Sequence, residues 1–169
     1  MNLARLLAHL ERFPAVVRAA VDGLTEEEVR FRPAEGAWSI LEVAGHLADE
    51  EVLDFRARLE RTLRDPAEAW DPIDPVGWVG ERRYQDADLA AVLDRFAAAR
   101  ADSLSFLRGL ADPAWTNAHE HARLGALRAG DLLVAWVVHD QLHLRQIANR
   151  RREIAGREGG GYSARYAEP

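Results

Sequence analysis

Three histidines have the residue type and the spacing needed to bind a metal ion. His139 and His143 stand four residues apart in the segment VVHDQLHLRQI, and His46 lies in the segment WSILEVAGHLADE. Residues four apart on a helix face the same side, so both imidazoles of the pair could reach one ion. A third imidazole from a neighbouring helix would leave room for water or substrate, as in catalytic zinc sites. The sequence therefore predicts metal chemistry at these three residues.

The amino-acid composition restricts which metal such a site would hold. The chain has no cysteine, so histidine, aspartate and glutamate are its only strong metal ligands. Three imidazoles suit Zn²⁺, Ni²⁺, Fe²⁺ or Cu²⁺, whereas Ca²⁺ and Mg²⁺ prefer sites rich in oxygen. We expect one divalent transition metal, zinc or nickel in the first place and iron as an alternative. The competing interpretation is that the three histidines line a polar seam and bind only water.

Two polar residues share the helical faces of these histidines. Glu50 follows His46 by four residues, which is compatible with a fourth ligand, a general base or a surface carboxylate. Gln146 follows His143 by three residues and could line the site. Ligating imidazoles usually donate their other N–H to a nearby acceptor, and Gln146 could supply it.

Other residues near these motifs allow a functional and a structural interpretation. Trp136, three residues before His139, could border the pocket. Asp140 points about 100° away around the helix axis from its neighbour, which favours an ion pair on the helix surface or at an interface. His119 and His121 alternate in a segment predicted to be a loop. They could bind a metal if that loop were ordered, but a solvated loop is the favoured interpretation.

Apolar residues at helical spacing predict the elements that would position this site. A capping box at Ser39 and Glu42 places a helix start directly after Trp38, and Pro14 predicts a kink or a break near Phe13. The four predicted long helices cover residues 2–21, 39–63, 86–109 and 131–155. With two long connections and no convincing β pattern, they predict an all-α four-helix bundle. We expect a single domain over residues 1–155 and a flexible tail over residues 156–169.

Charge and composition argue against several other classes of function. The net charge of −6 and the pI near 5.5 disfavour a general nucleic-acid binder, although Arg150, Arg151 and Arg152 form a local basic run. The absence of lysine excludes a Schiff base and a P-loop lysine. No stretch approaches the roughly 20 apolar residues of a membrane span, and the first residues lack the apolar core of a signal peptide. These features predict a soluble cytoplasmic protein.

Two motifs together resemble a known family. The segments WSILEVAGHLADEE and HDQLHLRQI, with the connection WDPIDPVGWVGERRY between them, are similar to the DinB superfamily of four-helix bundles. The resemblance covers roughly residues 1–155. It implies a mononuclear divalent metal site with His46, His139 and His143 as ligands, and it often implies a homodimer. Characterised relatives include transferases and isomerases that use low-molecular-weight thiols.

Two classes of function follow as expectations. The first is a metal-dependent transferase or hydrolase acting on a small molecule, with transfer to or from a thiol as the narrower form that rests on family analogy. The second is a non-catalytic dimeric bundle that binds a metal or another ligand. Association with DNA is a third, disfavoured interpretation. The substrate and the reaction are not specified by the sequence.

Overall fold

Four long helices form the body of the protein. The structure, a computed structural model, describes residues 1–167. Its main elements in chain order are α1 (Leu3–Val21), α2 (Glu26–Arg30), α3 (Ile40–Glu50), a π-helical segment (Glu51–Arg56), α4 (Ala57–Arg64), α5 (Pro75–Glu81), a 3₁₀ turn (Tyr84–Asp86), α6 (Leu89–Gly109), β1 (Ala118–His121), β2 (Gly125–Arg128) and α7 (Ala129–Glu158). The all-α four-helix bundle predicted from the sequence is confirmed. Within residues 1–167, no helix combines the length and the apolar character needed to cross a membrane.

The bundle core lies where α1 and α3 each pack against both α6 and α7. Its buried side chains form two apolar clusters. The first includes Phe13, Ile40 and Phe96, and the second is built around Leu59 and Trp136. Because α3 and α7 are in direct contact, residues on these two helices can meet inside the bundle.

The start of α3 is fixed by the capping box that the sequence predicts. The Ser39 hydroxyl accepts a hydrogen bond from the Glu42 backbone N–H at 3.2 Å, and the Glu42 carboxylate accepts one from the Ser39 N–H at 2.8 Å. Arg32 pairs with the same buried carboxylate. Two of the N–H groups that a helix start leaves free are thereby satisfied, and the register of α3 is set. That register carries His46 onto the buried face.

The predicted kink or break near Phe13 is not present as a helix end, because α1 continues through Pro14 to Val21. A proline within a helix removes the N–H that would bond to the carbonyl four residues earlier, which here belongs to Leu10. The Arg100 guanidinium donates to that carbonyl from α6 at 2.9 Å. A side chain from another helix therefore supplies the hydrogen bond that Pro14 cannot make.

The helix that carries His46 changes its winding in the middle. Residues 51–56 are π-helical, and α-helical winding resumes from Ala57 to Arg64. A π-helical segment adds a residue to the turn and shifts the faces of the helix, and such segments often occur at functional sites. Here it begins immediately after Glu50.

The connection before α7 was wrongly predicted to be a loop throughout. Residues Ala118–His121 and Gly125–Arg128 form a two-stranded antiparallel hairpin, in which His121 lies opposite Gly125. The positive φ of 72° at Gly125 suits the turn between the strands. Each strand has only four residues and little alternation of apolar and polar side chains. The sequence therefore does not predict a strand in this segment.

The C-terminal end of the bundle lies slightly beyond its predicted position. Helix α7 continues to Glu158, so the first three residues of the predicted flexible tail are helical. A short 3₁₀ turn follows at Arg165–Ala167. Residues 168–169, which also belong to the predicted tail, lie outside the described residues.

Candidate metal centre

The three histidines singled out in the sequence come together between α3 and α7. The Nε2 atom of His46 lies 3.3 Å from that of His139 and 3.0 Å from that of His143, and the last two are 2.9 Å apart. Within residues 1–167, the group of side chains able to share one ion consists of these three. His46 is buried, and the other two are partly buried.

The distances between these nitrogen atoms fit a single metal ion. Zinc–nitrogen bonds of about 2.0–2.1 Å with tetrahedral angles place ligand nitrogens about 3.3 Å apart. The three observed separations of 2.9, 3.0 and 3.3 Å are at or slightly below this value. The three nitrogens can therefore bind one ion after moving apart by only a few tenths of an ångström. The donor set is that of an open three-imidazole site.

Hydrogen bonding sets one imidazole in the form that binds metal. The Nδ1 of His143 lies 2.9 Å from Oε1 of Gln146. A carboxamide oxygen can only accept, so Nδ1 carries the proton and the Nε2 lone pair points at the other two histidines. Gln146 therefore has the orienting position that its spacing predicts. The buried Nδ1 of His46 has no hydrogen-bond partner among the described residues.

Burial keeps two of the imidazoles neutral. Desolvation, assisted by the nearby His139 and opposed by Asp49, lowers the pKa of His46 to about 3. Desolvation likewise lowers the pKa of His143 to about 3, with His139 and His46 contributing in the same direction. Neutral imidazole is the ligand form, so no proton must be removed from these two side chains near pH 7.

Glu50 lies directly beside the three nitrogens. Its Oε2 atom is 3.0 Å from Nε2 of His139 and 3.5 Å from Nε2 of His46, and its side chain is buried. These separations are close to those between the histidines themselves. Glu50 is therefore not a solvated surface carboxylate. It is in reach of an ion at the centre and of a small molecule attached to that ion.

Asp49, the neighbour of Glu50, faces a different group of residues. Its carboxylate accepts hydrogen bonds from Arg82 at 2.5 Å and from the Tyr84 hydroxyl at 2.6 Å, and it also pairs with Arg95. Burial raises the pKa of Asp49, but these three partners outweigh it, so the net pKa is lowered. Asp49 ties α3 to α6 and to the connection before it.

A buried ionic network includes the residue that follows Glu50 and the residue that follows His139. The Arg100 guanidinium contacts Glu51 at 2.9 and 2.8 Å and Asp140 at 2.8 and 2.9 Å. All three side chains are at most 2% exposed. Asp140 thus forms an ion pair as predicted, but in the core instead of on the surface. Because Glu51 adjoins Glu50 and Asp140 adjoins His139, the network holds the backbone on both sides of the centre.

Trp136 is linked to the three-histidine group indirectly, through the ring of Phe55. It is buried, its indole N–H donates to Glu51 at 2.9 Å, and its ring stacks on Phe55 with centroids 5.7 Å apart. Phe55 in turn packs on His139 at 4.8 Å. The pocket border predicted for Trp136 is therefore formed by Phe55. Trp38 does contact the centre, since its ring lies 4.8 Å from that of His46.

The histidines of the hairpin do not join the three-histidine group. His119 stacks on Trp70 at 4.2 Å, and its Nδ1 lies 3.0 Å from the carbonyl oxygen of Pro66. The ring of His121 lies 5.9 Å from Trp70. The two long connections of the chain therefore pack against each other through these aromatic rings.

Several residues near the centre were not singled out in the sequence, namely Glu51, Phe55, Asp54, Arg58, Trp70 and Arg100. A partial signal exists for two of them, because Asp54 and Arg58 continue the four-residue spacing of His46 and Glu50. Arg100 and Glu51 resemble ordinary surface charges in the sequence. Nothing in their local pattern indicates that they pair in the core.

The fold and the site together define the class of four-helix bundles that carry a three-histidine group. Sequence comparison identifies the family. A model of the DinB superfamily matches residues 9–147. The chain belongs to the DinB superfamily.

Individual relatives support this assignment. YfiT of Bacillus subtilis is 23% identical over 146 residues, which span 86% of this chain and 82% of YfiT. A protein of Bacillus licheniformis is 27% identical over 158 residues, which span 90% of this chain and 87% of the relative. Both relatives are provisionally named metal-dependent hydrolases.

A solved structure of YfiT shares the fold. It superposes with a TM-score of 0.81 at 22% identity, covering 91% of this chain and 88% of the other. That structure is described as a probable metal-dependent hydrolase with an unusual four-helix bundle topology. The likeness establishes the bundle architecture of the present chain.

Proposed function

We propose that this protein is a metal-dependent hydrolase or transferase acting on a small molecule, with one divalent transition metal bound by His46, His139 and His143. The convergence of three Nε2 atoms within 3.3 Å of one another carries the proposal. The names of the two Bacillus relatives support the metal dependence. Zinc and nickel fit the imidazole donors best, and iron is the alternative.

The side chains around the centre have distinct roles in this proposal. A divalent ion held there would lower the pKa of a bound water or thiol and supply a nucleophile at neutral pH. Glu50 would accept the proton from that nucleophile, since its Oε2 lies 3.0 Å from a ligand nitrogen. Gln146 would hold the ring of His143, and Phe55 would exclude water on the side of His139. A low-molecular-weight thiol as the nucleophile is the narrower form of the proposal and rests on family analogy.

The position of Glu50 also supports a second function. A carboxylate at 3.0 and 3.5 Å from two ligand nitrogens could complete four protein ligands around the ion. Closed four-ligand sites are typical of structural metals, whereas catalytic sites keep one position open. In that case the protein would be a non-catalytic metal-binding bundle.

Replacing Glu50 distinguishes the two functions. If Glu50 is the general base, Glu50→Gln lowers the turnover rate by about 10²–10⁴-fold and leaves one metal ion per chain. The zinc-loaded protein would be assayed with a chromogenic ester in water, for hydrolysis, and again with added cysteine, for thiol transfer. Metal content would be measured on the same samples.

The matched control is Glu60→Gln, which removes an exposed carboxylate from the same helical stretch. We expect it to leave both the rate and the metal content unchanged. A Glu50→Gln protein that loses the metal would identify Glu50 as a ligand and favour the structural function. An unchanged turnover rate would contradict the role of Glu50 as a base.

We further propose that the protein is a homodimer, as the family resemblance implies. Val134, Val138 and Leu142 are each about half exposed and follow one another every four residues on α7. A second copy covering this stripe would bury apolar surface that is otherwise hydrated. Light scattering of the purified protein should give about twice the chain mass of 18.9 kDa, and a mass equal to one chain would contradict the dimer. A cytoplasmic location and the lack of a nucleic-acid partner remain predictions.

A further inference from the structure

The outer face of helix α7 carries a row of exposed apolar side chains. Val134 is 43% exposed, Val138 is 50% exposed and Leu142 is 47% exposed. Within residues 1–167, no other helix exposes more than one large apolar side chain. Single exposed apolar residues are normal on a protein surface, whereas a contiguous row of them indicates a contact surface.

Opposite charges lie at the two ends of this row. Asp131 precedes Val138 by seven residues, and Arg145 follows it by seven. Seven residues are close to two helical turns, so both charges lie on the same face as the row. The side chain of Asp131 is 42% exposed, and Arg145 is also exposed. We call these five residues the α7 seam, namely Asp131, Val134, Val138, Leu142 and Arg145.

The spacing along the α7 seam is the same in both directions. Its successive members are three, four, four and three residues apart. Steps of three and four residues are those with which two helices pack side by side. A spacing that is symmetric about Val138 allows the seam to pack against a second copy of itself that runs in the opposite direction.

The charges of the seam favour that antiparallel arrangement. When Val138 faces the same residue of a second copy, Val134 faces Leu142 and Asp131 faces Arg145, once at each end. A parallel arrangement would instead place aspartate against aspartate and arginine against arginine. Opposite charges in contact are favourable and like charges are unfavourable. The antiparallel contact is also isologous, as a two-fold homodimer requires.

The acidic end of the seam can receive an arginine from a second copy. Arg128 donates three hydrogen bonds to the Asp131 carboxylate, which has about four acceptor positions. These hydrogen bonds lower the pKa of Asp131, so the carboxylate is ionised near neutral pH. A groove of about 390 Å³ lies beside it, lined by Val134 and Trp115 among others. The groove offers space for a long side chain next to the negative charge.

We propose that two copies of this protein associate through the α7 seam, antiparallel and centred on Val138. This inference rests on the homodimer of the proposed function and specifies its interface. His139 and His143 directly follow Val138 and Leu142, so the interface runs along the helix that carries two candidate metal ligands. The histidines lie on another face of that helix, about 100° away from the residues they follow. Dimerisation and metal binding are therefore separable by substitution.

Single cysteines test the interface, because the chain has no cysteine of its own. Helices that pack about 8–10 Å apart bring facing Cα atoms within the range of about 4.4–6.8 Å that a disulfide spans. Val138→Cys faces its own copy at the two-fold axis. We expect diamide to convert it into a covalent dimer at least about ten-fold faster than Val16→Cys, because the dimer holds the two thiols together. Val16 is the matched control, since it is 40% exposed on α1.

Two further cysteines test the register and the direction of the helices. Val134→Cys lies four residues from the axis, so it is about 12 Å along the helix from its own copy, too far for a disulfide. The same holds for Leu142→Cys. Neither variant should cross-link alone, whereas an equimolar mixture of the two should form mixed covalent dimers. A parallel contact would cross-link each variant with itself, and this result would overturn the proposal.

Charge reversal tests the two ends of the seam. Arg145→Asp would oppose two aspartates at each end and should weaken the dimer about ten-fold at low ionic strength. Adding Asp131→Arg restores opposite charges in exchanged positions and should recover most of the affinity. Arg108→Asp changes a half-exposed arginine of α6 outside the seam and should dimerise as the wild type does. Sedimentation equilibrium measures the dissociation constants, and circular dichroism checks that each variant is folded.

The outcomes separate this inference from the proposed function. A dimeric wild type in which Val138→Cys cross-links no faster than Val16→Cys would overturn the seam and leave the homodimer in place. A monomeric wild type would overturn both. Adding His143→Ala to Val138→Cys should remove the metal and preserve the cross-link. A protein that binds no metal but cross-links at Val138→Cys would contradict only the metal-dependent function.

Discussion

Arg100→Met is expected to destabilise the protein by about 3–5 kcal/mol. The substitution removes the cation that, within residues 1–167, pairs with Glu51 and Asp140, and it leaves two carboxylates in a core where they are at most 2% exposed. Uncompensated buried charge is among the costliest defects in a folded protein. Arg100 also donates to the Leu10 carbonyl opposite Pro14, so α1 loses a hydrogen bond as well.

Urea unfolding followed by circular dichroism measures this effect. The matched control is Arg108→Met on the same helix, whose ion pair with Glu11 is about half exposed, at 52% and 55%. Exposed ion pairs contribute about 0–1 kcal/mol, so the control should unfold close to the wild type. A triple variant, Arg100→Met with Glu51→Gln and Asp140→Asn, should recover part of the loss because it removes the orphaned charges. Equal free energies of unfolding for Arg100→Met and Arg108→Met would contradict the account.

The second large effect concerns metal affinity, which should fall in a graded way. His143→Ala removes a ligand and is expected to weaken zinc binding by more than about 100-fold. Gln146→Ala removes only the acceptor that orients that imidazole, and such partners are worth about 10–100-fold. His143→Ala should have the larger effect on zinc affinity because Nε2 of His143 would bond the ion, whereas Gln146 contacts only Nδ1 of the same ring.

Competition with a chromogenic chelator gives the two zinc affinities. His9→Ala is the control, since His9 is exposed on α1 and is not part of the three-histidine group. It should bind zinc as the wild type does. If Gln146→Ala lost as much affinity as His143→Ala, the distinction between ligand and orienting residue would be wrong. If neither lost affinity, zinc would be bound elsewhere.

The parts of the structure that could be predicted from the sequence are those encoded locally. The capping box at Ser39 and Glu42 and the apolar spacing of the long helices are read within a few residues. His139 and His143 share a helical turn, so their common orientation follows from their spacing alone. Pairing them with His46 required only that two amphipathic helices pack side by side.

The remainder depends on contacts between distant segments. Pro14 predicts a kink or a break when taken alone, whereas α1 continues and Arg100 from α6 donates to the Leu10 carbonyl that Pro14 leaves free. The π-helical winding after Glu50 has no local sequence signature, although it places Glu51 in the core and Phe55 against His139. The hairpin strands are four residues long, too short for an alternation signal, so the placement of His121 beside Trp70 could not be foreseen.

Elemental analysis of the purified, tag-free protein tests the central claim most directly. We predict one divalent transition metal per chain in the wild type and almost none in His46→Ala and His139→Ala, whose ligands come from different helices. Loss in both variants requires a single site that bridges α3 and α7. A metal-free wild type that also fails to take up added Zn²⁺ or Ni²⁺ would contradict the account. Undiminished metal in either variant would equally show that the three histidines do not share one ion.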